Sequence, residues 1–173
     1  MKSEIRDGVL HVTVNTSGQE IVDVVDDKGR VVGRIGKDDA HKLGVKHHTV
    51  ILIPVNRRTG QVLIHKRART KQTYAGAYDM FGGHIPSGVT PEDNGLKEAR
   101  EEIHAGIRPD QIIQIGNEGA FKAHKEDEAI GENDEIRTVF VVELDDEQIA
   151  DLDARNPQLE DFWSKSPETA REY

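Results

Sequence analysis

Residues 82–105, GGHIPSGVTPEDNGLKEAREEIHA, carry two patterns back to back. From Thr90 onward the residues predict a helix. Thr90 is a good N-cap, Pro91 fits the first helical position, and Glu92 and Asp93 put acid in the first turn. At about 100° per residue, Leu96, Ala99 and Ile103 share one side. Glu98, Glu101 and Glu102 share the other. Carboxylates spaced i, i+3 and i+4 repel by about a few tenths of a kcal/mol per pair, and Lys97 and Arg100 offset this only in part. A hard divalent cation such as Mg²⁺, which prefers oxygen ligands, would offset it better. Ahead of the helix, Gly82-Gly83 and Ser87-Gly88 bend the chain and bring backbone N–H groups close to whatever the carboxylates hold. For three glutamates alone a solvated face is the plain alternative. Joined to the glycine turn, they predict a site for a metal ion and a diphosphate.

The rest of the chain bounds that site. Its 173 residues suit a single domain spanning 1–173 with a real core. Charged residues make up 32% and aromatics 5%, so the core has to rest on Val, Ile, Leu and Ala. A net charge of −9 argues against bulk nucleic acid or an anionic membrane as partner, and means that an anionic substrate needs a local cation. Cysteine is absent, which excludes disulfides and thiolate chemistry. With no signal-peptide pattern and no apolar run of about 18 residues, a soluble, cytoplasmic protein is expected.

Taken in order, residues 1–20 read as an N-terminal extension. In it, Val9–Val14 alternates like a strand that either pairs with a neighbour or forms an ordered tail. Ile21–Val25 and Arg30–Ile35 flank Asp26-Asp27-Lys28-Gly29 as a hairpin. Asp38–Leu43 reads as a short helical turn, and Thr49–Val55 as a strand buried on both faces whose Pro54 limits pairing. Gln61–Arg67 is expected as a strand leading into Lys66, Arg67, Arg69 and Lys71. That basic cluster is either ordinary surface charge or a contact for substrate phosphates, where arginine can bind two oxygens at once. Gln111–Lys122 and Ile136–Leu144 read as strands, and the acidic stretch Lys125–Glu135 between them as a loop or lid. Asp145 and Gln148 make a capping-box-like start for a helix over Glu147–Leu152. Phe162 and Trp163 read as core, and Ser166 as a late helix start.

The motif resembles the Nudix box, G-x5-E-x7-R-E-U-x-E-E-x-G-U with U aliphatic. Starting at Gly83, its metal-binding glutamates correspond to Glu98, Glu101 and Glu102. Val89 stands at its first glutamate, Lys97 at its arginine and His104 at its last glycine. The order EIVDVVDDKGRVVG, PVNRRTGQVLIHKRARTK, GAYDMFGGH and the box is similar to Nudix proteins of the isopentenyl-diphosphate isomerase kind. The resemblance implies an α/β fold, the Nudix α/β/α sandwich with a mixed β-sheet, and is compatible with a homodimer. It also implies Mg²⁺ or Mn²⁺ at the glutamates, with Lys97 orienting Glu98 and with Gly82 and Gly83 letting backbone come close to the substrate. From the isomerases it implies a second metal, Zn²⁺ or Mn²⁺, at His41 and His48 (seven residues apart) and His84, with Glu135 as a carboxylate ligand and Asn133 in place of its acidic partner. Isomerases also use a cysteine where this chain has Gly82, so their proton transfer is not available here.

The expected activity is that of a metal-dependent Nudix hydrolase. It would cleave the diphosphate linkage of a nucleoside diphosphate derivative or similar small organic pyrophosphate by water attack at phosphorus. Glu132 or Glu135 would serve as base or further ligand. Val89 predicts weakened support of the loop and slow turnover. Two other readings stay open. Val89, Lys97 and His104 suit a Nudix-fold binding module that has lost catalysis, and the histidines suit an isomerase-like metal protein with altered chemistry.

Overall fold

The structure is a computed structural model and describes residues 2–6, 9–13, 18–66, 76–122 and 134–155. In chain order its elements begin with β1 (Lys2–Arg6), β2 (Val9–Thr13), β3 (Ile21–Val25), β4 (Val31–Gly36) and α1 (Lys37–Leu43). Next come β5 (His47–Asn56), β6 (His65–Lys66), β7 (Tyr78–Asp79), β8 (Phe81–His84) and α2 (Pro91–Glu102). A 3-10 turn (Pro109–Gln111), β9 (Ile112–Lys122), β10 (Asp134–Leu144) and α3 (Asp146–Arg155) follow. The class is α/β, a mixed sheet with helices, as the sequence indicates. Arg67, Arg69, Lys71, Glu132, Asn133, Phe162, Trp163 and Ser166 lie outside the described residues. Among the described residues no helix is long and apolar enough to cross a membrane.

The chain divides into two compact units. The first comprises Met1–Val50, Gly83–Asn94 and Asn117–Thr138. Here β1 runs antiparallel to β2, β2 parallel to β4, and β3 antiparallel to both β4 and β5. The opening segment is therefore paired into the sheet. Its first strand, KSEIR, is too polar to announce itself by alternation. The β3–β4 turn forms because the Asp26 carboxylate accepts the amides of Lys28 and Arg30 at 2.9 Å each, while Gly29 adopts φ +75°. Val22, Ile35 and Ala40 pack together with Val24 and Val45. α1 ends at Gly44, whose left-handed φ of 60° lets its amide reach the Ala40 and His41 carbonyls. Thr90 caps α2 as expected, its Oγ1 accepting the Asp93 amide at 3.1 Å.

The second unit comprises Ile51–Gly82, Gly95–Gly116 and Val139–Tyr173. Thr49–Val55, expected as a strand buried on both faces, is covered unequally: Thr49, Val50, Leu52 and Pro54 are buried and Ile51, Ile53 and Val55 half-buried. Gln61–Arg67, by contrast, is not one continuous strand. Val62 makes an isolated bridge to Val55, and regular pairing resumes only where β6 meets β7. Pro54 supplies no N–H to the ladder, though its carbonyl accepts the Leu63 amide at 2.9 Å. Ala99 and Ile103 are buried and Leu96 half-buried, as their spacing predicts. Gly95 has no side chain for a reason: a Cβ there would lie 3.3 Å from the Phe140 ring.

α3 runs to Arg155, three residues beyond the expected Leu152. Its start is the capping box read from the sequence, with Gln148 N–H donating to Asp145 Oδ1 (3.0 Å) and Asp145 N–H to Gln148 Oε1 (3.1 Å). The same buried Gln148 amide exchanges hydrogen bonds with Gln111 at 2.7 and 3.1 Å and donates to the Gly106 carbonyl at 3.2 Å. Gln111 in turn donates to the Glu143 carbonyl and accepts the Arg108 amide. Two glutamines thus satisfy four backbone groups, the Gly106 and Glu143 carbonyls and the Arg108 and Asp145 amides, away from water. Gln148→Leu removes the side-chain arm of the capping box and strands these partners, and is expected to cost about 2 kcal/mol in urea unfolding.

Candidate functional site

On α2 the three glutamates have different partners. Glu98 is only 14% exposed and Glu101 59%, and Lys97 Nζ bridges them at 3.1 and 3.2 Å. Hydrogen bonds to Glu98 and then Glu101 hold the Lys97 ammonium above its ordinary range. Glu102 Oε2 accepts the Gly82 amide at 3.1 Å, and Gly82 has φ 144°, a conformation that favours glycine. The glycine turn and the end of the acidic helix are therefore joined directly. Among the described residues the three glutamates do not gather into a group with ligand atoms within 4.8 Å of one another. The Lys97 ammonium stands between two of them instead.

At the end of the helix, His104 occupies the place of the box's last glycine and supplies its own closure. Its Nδ1 accepts the Gly106 amide at 3.0 Å, so Nε2 carries the proton donated to Asp151 at 2.8 Å. Arg100 Nε donates to the Ile107 carbonyl at 2.8 Å. The helix ends on side chains rather than on a left-handed glycine.

The loop ahead of the helix departs from expectation. Val89, where the box has glutamate, is 39% exposed and cannot accept a hydrogen bond from its side chain. Asp23, in the middle of β3, supplies an acid from elsewhere. Its Oδ1 accepts Ser87 Oγ–H at 2.6 Å and Arg34 Nε–H at 3.3 Å, and its Oδ2 accepts the Gly88 amide at 3.2 Å. The Ser87 amide also donates to the Ile21 carbonyl at 2.8 Å. Asp23 thus holds Ser87 and Gly88, the two residues just ahead of Val89. Nothing in IVDVV marks Asp23 for that task, since an acid on a strand ordinarily just faces water.

A second group, within the first unit, gathers His41, His47, His84 and Glu135, with one ligand atom from each lying within 4.8 Å of the others. His41 comes from the last turn of α1, His47 opens β5, His84 closes β8, and Glu135 lies near the start of β10. His41 Nε2 and His84 Nε2 are 2.8 Å apart. The His47 and His84 rings stack with centroids at 5.2 Å, and His41 stands edge-on to both. His47 Nε2 lies 4.0 Å from Glu135 Oε1, while Glu135 Oε2 accepts Arg137 Nε–H at 3.0 Å and Thr49 Oγ1–H at 3.4 Å. The buried Asn94 amide donates to the His84 carbonyl at 3.1 Å and holds the end of β8 in place.

The expected His48 is corrected to His47. Neighbouring residues of a strand point to opposite faces, so only one of the pair can look toward His41 and His84. The Val45 carbonyl selects it, accepting His47 Nδ1–H at 2.9 Å. That bond leaves a lone pair on His47 Nε2, which is buried in a residue 0% exposed and has no hydrogen-bond partner. An acceptor stranded in this way fits a cation. Three imidazoles and a carboxylate, with the carboxylate and one imidazole braced from behind, match the donor set that Zn²⁺ or Mn²⁺ takes. Burial first, then the neighbouring His47 and His41, push the His84 imidazole down to about 4. A neutral ring is the form that binds metal.

The sequence profile described as NUDIX domain matches residues 45–169. An uncharacterized Nudix hydrolase of Streptomyces coelicolor is 38% identical over 95 residues, covering 54% of this chain and 52% of that protein. An isopentenyl-diphosphate Delta-isomerase of Corynebacterium diphtheriae is 30% identical over 97 residues, covering 56% of this chain and 52% of that protein. The chain thus spans about half the length of these curated relatives. Among solved structures, DR0079 of Deinococcus radiodurans is similar with a TM-score of 0.53 and 26% identity, covering 73% of each chain.

The depressed His84 value sets a pH dependence. Its ordinary value is 6.5, so between that pH and about 4 the unfolded chain holds a proton that the folded chain refuses. Stability of the metal-stripped protein should therefore fall as pH drops through this window, by up to ~3 kcal/mol, and stay level above it. Burial lowers His48 as well, in the same direction. Urea unfolding with chelator at pH 7.5, 5.5 and 4.5 measures the decline, and His84→Gln should flatten most of it.

Proposed function

The chain belongs to the Nudix family, and from that premise we propose that it is a divalent-metal-dependent hydrolase of a diphosphate linkage. The observation that carries this reading is the convergence of Glu98 and Glu101 on a single cation, the Lys97 ammonium, next to a Glu102 fastened to the Gly82 amide. Two carboxylates already turned toward one positive charge, with oxygen the only donor type, fit Mg²⁺ or Mn²⁺. Glu98, Glu101 and Glu102 would hold the ion. When bound, such an ion neutralises bridging phosphate charge and lowers the pKa of a bound water enough for it to attack phosphorus.

The chain's own residues do the rest. Glu102 holds the Gly82 amide in place, so that Gly82 and Gly83 offer backbone to the substrate without a side chain in the way. Arg67, Arg69 and Lys71 would bind the outer phosphate oxygens, where a guanidinium can pair with two at once. In a chain of net charge −9 these cations and the metal are what make an anionic substrate welcome. The substrate class is a small organic pyrophosphate, such as a nucleoside diphosphate derivative.

A second metal is favoured by its own observation, the gathering of three imidazoles and a carboxylate with ligand atoms within 4.8 Å of one another. His41, His47, His84 and Glu135 would hold Zn²⁺ or Mn²⁺, with Arg137 and Thr49 fixing the carboxylate. This group resembles the histidine site of the isomerase-like relatives, without their thiol.

Incubation of the purified protein with nucleoside and prenyl diphosphates in Mg²⁺ or Mn²⁺ should release inorganic phosphate and leave the matching monophosphate. The rate should fall by about 100-fold or more in Glu101→Gln and Glu102→Gln, equivalent to ~2.7 kcal/mol of barrier. Saturable ligand binding with no turnover in any metal would sink the hydrolase and leave a binding module. For the second site, zinc or manganese should co-purify with the protein. His47→Ala should lose it, and His48→Ala should retain it; the reverse pattern would refute the assignment.

A further inference from the structure

We propose that Lys97 is a built-in counter-cation whose ammonium occupies the metal's place between Glu98 and Glu101 and is displaced into solvent when a divalent ion binds. The inference rests on those glutamates being metal ligands, and it adds what sets the metal concentration at which the site fills.

The geometry is that of an exchangeable plug. Lys97 Nζ is 3.1 Å from Glu98 and 3.2 Å from Glu101, while its own side chain is 50% exposed. Glu98, at 14%, is much better covered. The ammonium therefore bridges a well-covered carboxylate and an exposed one from a position that water reaches. Lysine suits such an exchange. It is a point charge on a flexible four-carbon stem, whereas arginine at the same place would grip one carboxylate with a planar fork of parallel bonds. The box has that arginine, and this chain does not.

Charge gives both directions of the exchange a reason. With metal absent, Glu98 and Glu101 are like charges three residues apart on one helix face and would repel. The tethered ammonium neutralises one of the two, so the acidic helix is stable while empty. A divalent ion neutralises both and prefers carboxylate oxygen, so it wins once its concentration is high enough. Exposed ion pairs of this sort are weak, and the penalty on metal binding is correspondingly modest: a roughly three- to tenfold weaker Kd than the same site would have without the plug.

Calorimetric titration with Mg²⁺, an ion whose preference for oxygen leaves the histidine group out of the count, tests this in two variants. Lys97→Met should tighten Mg²⁺ binding about three- to tenfold. Arg100→Met removes the same charge from the same helix, but its guanidinium nitrogen Nε is bonded to the Ile107 carbonyl. It should change Kd by less than about twofold at physiological salt. In parallel, limiting amine acylation read by mass spectrometry should modify Lys97 of the wild type faster with Mg²⁺ than with chelator. Equal Mg²⁺ affinity in wild type and Lys97→Met, with Lys97 labelling indifferent to metal, would overturn the plug and leave the glutamate site standing. Equal tightening in both variants would overturn it too, since a general field would then suffice. If neither wild type nor Lys97→Met binds Mg²⁺, the glutamate ligands fail and the plug with them.

Discussion

A carboxylate in the middle of a mostly apolar strand needs donors, and a glycine-bearing loop needs acceptors for its amides. Asp23 meets both needs at once by taking the Ser87 hydroxyl and the Gly88 amide. The chain it holds is the short connection between His84 and the Thr90 cap. Fixing that connection sets where β8 stops and where α2 starts. Arg34 donates to the same carboxylate from the neighbouring strand. The pattern's own glutamate at position 89 is gone, yet the loop is still held, because the fold needs a charge at a place in space and not at a place in the sequence.

The same demand, that a polar group removed from water be given a partner, separates the structural polar groups from the chemical ones. Gln111 and Gln148 sit in the interior of the second unit and meet each other and four backbone groups between them. Nothing about them invites a ligand. His47 is buried as completely, yet it spends its one N–H on the Val45 carbonyl and turns an unmet lone pair toward two other imidazoles. Burial then keeps the neighbouring His84 neutral. An environment that discourages protons but offers lone pairs suits a soft or borderline metal better than it suits the protein alone.

The acidic helix solves a different problem by different means. One of its carboxylates is well covered and another exposed, and a single half-exposed lysine holds both. His104 and Arg100 close its end with side-chain bonds where the pattern relies on a glycine. Each departure from the Nudix pattern thus has a structural counterpart: Asp23 for Val89, the Gly106 amide and Asp151 for His104, and a bridging ammonium for the fork of an arginine.

Rules that act within four residues of chain left their mark plainly in the letters. Thr90-Pro91 opening α2, the Asp145–Gln148 box opening α3 and the Asp26–Gly29 turn all depend on neighbours close in sequence, and all stand where they were expected. The family resemblance was legible for the same reason, being a spacing along one turn and one helix. The fold alone chose His47 over His48, recruited Asp23 to a loop 64 residues away, broke the expected Gln61–Arg67 strand and paired the polar KSEIR segment with its neighbour. A one-residue change in strand phase turns a side chain to the opposite face. A carboxylate's role depends on which donors reach it in space. Such contacts lie between residues far apart in the chain, and no local pattern records which of several equivalent letters will meet.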